Sequence, residues 1–236
     1  MTYTVVTSFS KAGYETYGKR FLETFRKHDP DTPLFAYSED GPFQDRTLYV
    51  REMFGWEWTF KQWRKAPLAQ GILGAKRRYN LDADRFSHKV GCITSFADTA
   101  ISGWLIWHDA DVEITAKPDW SKVCPPNKML SYIGRTDWHH SECGFVGYNL
   151  DFPQTRAFLE RFRWYYTSGM IFSLREWHDS FVFDRVREDF SVWKGLMHNI
   201  AEGVPGMHPW PQTPLGKWSV HNKGPEAKIK AYGALV

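Results

Sequence analysis

The chain has 236 residues, enough to bury one substantial core, and no stretch in its middle has the composition of a flexible linker, so a single domain over 1–236 is expected. A charged fraction of 24% with a net charge of +3 excludes a global electrostatic footprint for nucleic acid or an anionic membrane. No apolar run is long enough to span a bilayer, and the opening MTYTVVTSF lacks the basic region and long apolar segment of a signal peptide. The three cysteines, Cys92, Cys124 and Cys143, form no paired framework and have no zinc-ligand spacing, which makes a reducing cytoplasm the expected location. Aromatic residues are abundant at 17%, with 12 Trp, and chains this rich in rings commonly line a groove for sugars or bases with some of them.

In chain order, Thr4 to Phe9 reads as a first strand, and Ser10 to Gly13 as a loop before a helix from Tyr14 to Lys27. Further strands are expected at Pro33 to Tyr37 and Thr47 to Val50, and this alternation argues for an α/β fold with a largely parallel sheet. From Arg51 to Lys89 the chain turns basic and aromatic, with Trp56, Trp58, Trp63, Arg64, Lys65, Lys76, Arg77, Arg78 and Tyr79. Such a stretch reads either as solvated helix faces with buried rings or as a stripe for a polyanionic acceptor. Phe86, Val90, Ile93 and Ala97 recur at three and four residues, predicting an amphipathic helix over Asp84 to Ala100. Beyond the middle of the chain, strands are expected at Lys128 to Gly134 and at Cys143 to Asn149, where Gly144 and Gly147 mark close backbone approach. Asp151 and Pro153 open a helix whose Phe158, Leu159, Phe162 and Tyr166 share a face, and a further helix begins near Trp177 to Ser180. Little regular structure is expected in the Pro- and Gly-rich tail from Gly203 to Gly224.

The most informative stretch is WLIWHDADV, Trp104 to Val112, a buried-strand pattern ending in Asp109-Ala110-Asp111. Two carboxylates at the carboxyl end of such a strand fall where open α/β sheets bind ligands, and both can reach one hard divalent cation, which in turn attracts a diphosphate. The competing reading is a solvated turn, since Asp is common in turns and caps. His139 and His140 are a tempting metal pair, but adjacent residues on an extended segment face opposite ways, so both read as loop residues.

Five segments in one order carry a resemblance: FSHKV at Phe86 to Val90, WLIWHDADV, SECGFVGYN at Ser141 to Asn149, EWHDSFVFD at Glu176 to Asp184 and VHNKG at Val220 to Gly224. Together they resemble the nucleotide-sugar glycosyltransferases of the GT-A fold, a Rossmann-like, mostly parallel sheet flanked by helices. The similarity is greatest to small soluble enzymes of bacteriophages and bacterial surface-polysaccharide loci, which would place a phage-encoded protein in the host cytoplasm. It implies that Asp109, Asp111 and His221 hold Mn²⁺ or Mg²⁺, and that Lys223 and Gly224 meet the phosphates. It implies too that Thr7 and Ser8 face the nucleotide, and that Lys89 lies near the nucleobase or phosphates. Asp179 is then the acid that faces the acceptor hydroxyl as general base, or else a helix cap, with Trp177 and His178 lining the same pocket and Glu142 binding sugar or acceptor hydroxyls. The H-x-K-G pattern resembles retaining enzymes while SECGF and WHDS suit either type, so stereochemistry stays open. His108 departs from the aliphatic residue usual before the acidic triplet and is placed to crowd or tune the site.

The function implied is transfer of a sugar from a nucleoside diphosphate, UDP foremost, to a hydroxyl. The basic, aromatic stretch and the need to extrude a base against stacking side chains make a 5-hydroxymethylpyrimidine in phage DNA one acceptor; saccharide or protein hydroxyls are the others. A non-catalytic binding module of the same fold has no need for Asp109, Asp111 and His221 together. A nucleotidyltransferase would usually carry a Gly-rich N-terminal loop, and Ser8 to Gly13 is poor in Gly.

Overall fold

A computed structural model of the chain describes residues 1–40, 50–52, 66–136 and 139–233. The β-branched run near the start forms β1 (Tyr3–Phe9), followed by a short helical turn (Lys11–Gly13), a π-helical segment (Tyr14–Gly18) and helix α1 (Lys19–His28). Next come β2 (Leu34–Ser38), β3 (Val50–Glu52), β4 (Gln70–Leu73), β5 (Lys76–Asp82) and helix α2 (Ala83–Thr99). The acidic triplet lies between β6 (Trp104–His108) and β7 (Val112–Ile114), before helix α3 (Trp120–Val123). The chain continues through β8 (Leu130–Ile133), β9 (Glu142–Asn149), helix α4 (Pro153–Thr167), helix α5 (Asp179–Asp189) and β10 (Met197–Asn199). It closes with β11 (Ser219–His221) and helix α6 (Pro225–Tyr232).

Seven strands form the central sheet in the order β10-β8-β9-β6-β1-β2-β3. All run the same way except β9, which pairs antiparallel with both β6 and β8. The expected mixed, mostly parallel α/β sheet is therefore the observed one. Every residue of β6 is buried because helices or loops cover both faces of a strand hydrogen-bonded on both edges. Its side chains alternate between two cores. Trp107 packs on the side of α2, α4 and α5, with Phe158, Phe162 and Phe183, while Trp104 and Ile106 face the side of α1 and the C-terminal segment, with Phe21, Phe25 and Trp210.

The helices follow their sequence signals. Asp82 caps α2 by accepting from the Arg85 amide at 3.2 Å, and Pro153 stands at the first turn of α4, where its missing N–H costs nothing. Phe158, Leu159, Phe162 and Tyr166 are all buried, as their spacing predicts.

Two expectations are corrected. Residues 70–82 form the antiparallel ribbon β4–β5 rather than helix, with Lys76, Arg77, Arg78 and Tyr79 exposed on β5. An exposed strand carries no burial pattern to distinguish it from a solvated helix. The tail expected to be irregular contains β11, which pairs antiparallel with β7 and sets His221 opposite Val112; three residues among Pro and Gly are too few to show a period. Trp56, Trp58, Trp63, Arg64 and Lys65 lie outside the described residues. Among the described residues no helix is long and apolar enough to cross a membrane.

Candidate active site

The acidic triplet leaves the sheet at the carboxyl end of β6, where the Asp109 amide donates to the Gly144 carbonyl at 2.8 Å and ties the turn to β9. Asp111 precedes β7, and its carbonyl accepts from the Asn222 amide at 3.0 Å and from the Tyr232 hydroxyl at 3.3 Å. The β7–β11 ribbon thus carries the C-terminal segment onto the triplet. His221 Nε2 comes to 3.2 Å from Asp111 Oδ1, and ligand atoms of Asp109, Asp111 and His221 all lie within 4.8 Å of one another.

This set fits a divalent cation. Two adjacent ligands each about 2.1 Å from an octahedral ion sit about 3 Å apart, close to the His221–Asp111 separation. Carboxylate oxygens joined by one imidazole suit Mn²⁺ or Mg²⁺, with the nitrogen favouring Mn²⁺.

Two buried charge groups flank the triad. On one side, the Lys89 ammonium, carried by α2, lies 2.9 Å from Asp109 Oδ1 and 2.7 Å from Asp179 Oδ2, and donates to the Cys143 carbonyl at 2.9 Å. The Trp107 indole also donates to Asp109 Oδ1 at 2.7 Å. Burial works against the charge on Lys89, but the carboxylates of Asp109 and Asp179 outweigh it and hold the amine protonated well above its ordinary range. Asp179 is likewise held ionised below its ordinary value: burial opposes, and the Lys89 charge and hydrogen bond prevail. In this arrangement Asp179 pairs with Lys89 as its counter-ion.

On the other side, Glu142 at the start of β9 is 1% exposed. Its Oε1 accepts from His221 Nδ1 at 2.9 Å and lies 3.3 Å from Lys223 Nζ, while Arg135 reaches 3.7 Å from Oε2. Burial alone would raise the Glu142 pKa; the His221 hydrogen bond and the charge of Lys223 reverse this and bring it down to about 2. Burial works against the charge on His221, but the hydrogen bonds to Asp111 and Glu142 outweigh it and push its pKa up to about 9. A cavity of about 340 Å³ opens beside this group, lined by Glu142, His208, Trp210, Val220, His221 and Lys223.

Glycine makes this crowding possible. A Cβ on Gly144 would stand 2.7 Å from His221 Cε1, and one on Gly147 would stand 2.8 Å from Cys124 Sγ, so both mark close approach as their positions predict. Gly224, at φ 85°, turns the chain from Lys223 into α6.

Of the residues singled out in the sequence, the fold therefore brings together Lys89, Asp109, Asp111, Glu142, Asp179, His221 and Lys223. Thr7 is fully buried, its hydroxyl without a hydrogen-bond partner among the described residues. Ser8 donates to Glu39 at 2.6 Å, and Glu39 faces His88 at 3.3 Å. Glu39 is a residue that sequence reasoning missed, although an acid just beyond the carboxyl end of a parallel strand repeats the logic that found Asp109. Trp177 is packed inward, its indole donating to the Leu174 carbonyl at 3.1 Å. The N-cap of α5 is His178 rather than Asp179: its Nδ1 accepts from the Phe181 amide at 3.3 Å, while Nε2 lies 2.9 Å from Glu176. His140 reaches the same Glu176 at 3.8 Å and Asp184 at 3.6 Å. His108 turns away from the triplet into the opposite core, stacked on Phe21 at 5.5 Å and edge-on to Trp210 at 5.5 Å, where burial lowers its pKa to about 4.

No protein-family model and no curated protein sequence matches the chain. Among solved structures, it is similar to a glycosyltransferase involved in the glycosylation of the major capsid of PBCV-1, with 10% identity and a TM-score of 0.52 over 98% of this chain and 100% of that one. What the two share is the fold. Lower similarity extends to the glycosyltransferase GlyE of Streptococcus pneumoniae TIGR4, with 12% identity and a TM-score of 0.47, covering 84% of this chain and 45% of that one. The bifunctional glycosyltransferase WbbM aligns at 8% identity and a TM-score of 0.48, over 85% of this chain and 39% of that one.

Proposed function

We propose that the protein is a metal-dependent glycosyltransferase that moves a sugar from a nucleoside diphosphate, UDP foremost, to an acceptor hydroxyl. The observation that carries this reading is the convergence of Asp109, Asp111 and His221, delivered from the end of β6 and from β11, in a chain whose fold is similar to that of a glycosyltransferase over 98% of its length. A divalent cation held by these three residues would stabilise the charge that develops on the departing diphosphate. Lys223, at the rim of the cavity with 39% of its side chain exposed, is placed to donate to the same phosphates. Lys89, clamped between Asp109 and Asp179, presents a fixed positive charge beside the sugar, and its counter-ion Asp179 keeps that charge in place at neutral pH. A few kcal/mol of such stabilisation amounts to about a hundredfold or more in rate.

For the acceptor we favour a hydroxymethylated pyrimidine in DNA. Lys76, Arg78 and Tyr79 are exposed along β5, and the Tyr79 ring stands 5.0 Å from Phe86, which meets His178 at 5.9 Å, next to Asp179. A basic, aromatic edge therefore leads toward the centre, as extruding and stacking a base would require.

The test is release of nucleoside diphosphate from a panel of UDP- and GDP-sugars, with Mn²⁺ and with chelator, beside the Asp111→Ala protein. Slow Mn²⁺-dependent hydrolysis of one donor, absent in the variant, is the expected result; no hydrolysis and no donor-induced thermal stabilisation would sink the proposal. Neutralising Lys76 and Arg78 should weaken DNA binding and flatten its salt dependence. Unchanged binding moves the acceptor to a saccharide or a protein hydroxyl.

A further inference from the structure

A ligating imidazole must present a lone pair, and a neutral histidine has its proton on one nitrogen only. His221 stands between two carboxylates that compete for that proton: Asp111, 3.2 Å from Nε2, and Glu142, 2.9 Å from Nδ1. With the proton on Nε2, the ring would donate to Asp111 and close the triad to a cation. With the proton on Nδ1, it donates to Glu142, and the Nε2 lone pair points at the space shared with Asp109 and Asp111.

We propose that Glu142 is a positioning residue that fixes the Nδ1–H tautomer of His221 and so makes Nε2 a metal ligand. This inference rests on the glycosyltransferase reading above, and it replaces a contact between Glu142 and substrate hydroxyls with an action through histidine. Three features of the fold support it. The Glu142 carboxylate is 1% exposed, and Lys223 at 3.3 Å and Arg135 at 3.7 Å balance its charge from sides other than that of His221. The backbone of His221 is set by the β7–β11 pairing, which leaves its ring as the element still to be oriented. That ring is confined between Trp210, 4.8 Å away, and the bare backbone of Gly144, so a flip that exchanges Nδ1 and Nε2 is hindered. A carboxylate on the second nitrogen of a ligating histidine also raises its basicity, and losing such a partner typically costs about 10–100-fold in metal affinity.

The experiment measures Mn²⁺ affinity directly, by titration calorimetry or by the EPR signal of free Mn²⁺, in the wild type, Glu142→Ala, Glu142→Gln and Asp111→Ala. The expected pattern is a loss of about 10–100-fold in Glu142→Ala and recovery of most of it in Glu142→Gln, whose amide oxygen still accepts from Nδ1–H. Wild-type affinity in Glu142→Ala alongside loss in Asp111→Ala overturns the inference and leaves the glycosyltransferase reading standing. So does a Glu142→Gln protein no better than Glu142→Ala, or an effect confined to the donor KM. A wild type that binds no Mn²⁺ overturns both. Should Glu142→Ala not fold, ¹⁵N chemical shifts of His221 in the Mg²⁺-loaded wild type decide the matter: a proton on Nδ1 supports the assignment and a proton on Nε2 overturns it.

Discussion

Among the described residues two groups offer three ligands within 4.8 Å of one another: Asp109, Asp111 and His221 at the end of β6, and His140, Glu176 and His178 at the head of α5. By composition the second, with two imidazoles, is the better metal site. Hydrogen bonding reverses the ranking. His221 gives its Nδ1 side to Glu142 and can aim a lone pair from Nε2 at the acids. His178 instead uses the Nδ1 lone pair to cap α5, which leaves its proton on Nε2, facing Glu176. A ring in that state adds a hydrogen bond to the second group and no ligand. Whether a histidine ligates thus depends on what its other nitrogen does.

The comparison can be broken most directly at Asp111. Asp111→Ala should abolish Mn²⁺ binding and lower turnover by a hundredfold or more, with circular dichroism unchanged because the side chain lies beyond the strand end. Calorimetry of the wild type should correspondingly find one Mn²⁺ per chain; two equivalent ions would mean that the second group also binds.

His108 extends the contrast to a histidine whose only hydrogen-bond contact among the described residues is Nδ1 to the Asp109 carbonyl at 3.3 Å, its buried Nε2 having none. Its folded pKa of about 4 lies below the ordinary 6.5, so between these values the unfolded chain takes up a proton that the native protein refuses. Stability is then full above pH 6.5 and falls as pH drops toward 4, by about 3 kcal/mol in all at about 1.4 kcal/mol per unit. His108→Phe, which keeps a ring against Phe21 and Trp210, should remove that part of the acid slope in urea melts collected from pH 7 to pH 4. An unchanged slope would assign the acid sensitivity to the carboxylates.

Gly144→Ala sharpens the comparison from the side of geometry. The new methyl must displace the His221 ring, which it would meet at 2.7 Å, and Mn²⁺ affinity should fall about tenfold with no charge altered. The smallest effect is expected at the second group: His178→Ala removes the N-cap of α5 and should cost about 1 kcal/mol in thermal melts, while Mn²⁺ affinity stays as in the wild type. Loss of Mn²⁺ binding there would show that the α5 group takes part in holding metal.

Legibility followed burial. β6, β9, α2 and α4 were readable because each has residues that must be buried at a fixed period, and the acidic triplet was readable because charge halts an apolar strand. The β4–β5 ribbon and β11 were not, being exposed or only three residues long. In the site, the acids and His221 could be chosen by residue type and position. The partnerships of Glu142 with His221, 79 residues apart, and of Lys89 with Asp179 could not, because no local rule links such positions.

By itself the sequence determined which groups can bear charge or ligate and which strand end delivers the acids, since both follow from side-chain chemistry and the period of a buried strand. The tertiary structure decided which of nine histidines faces the acids with a nitrogen to spare, and that Asp179 pairs with Lys89 while His178 caps the helix. The physical reason is that a proton's position and a buried charge's partner depend on distances of about 3 Å between atoms far apart in the chain, and only packing sets those distances.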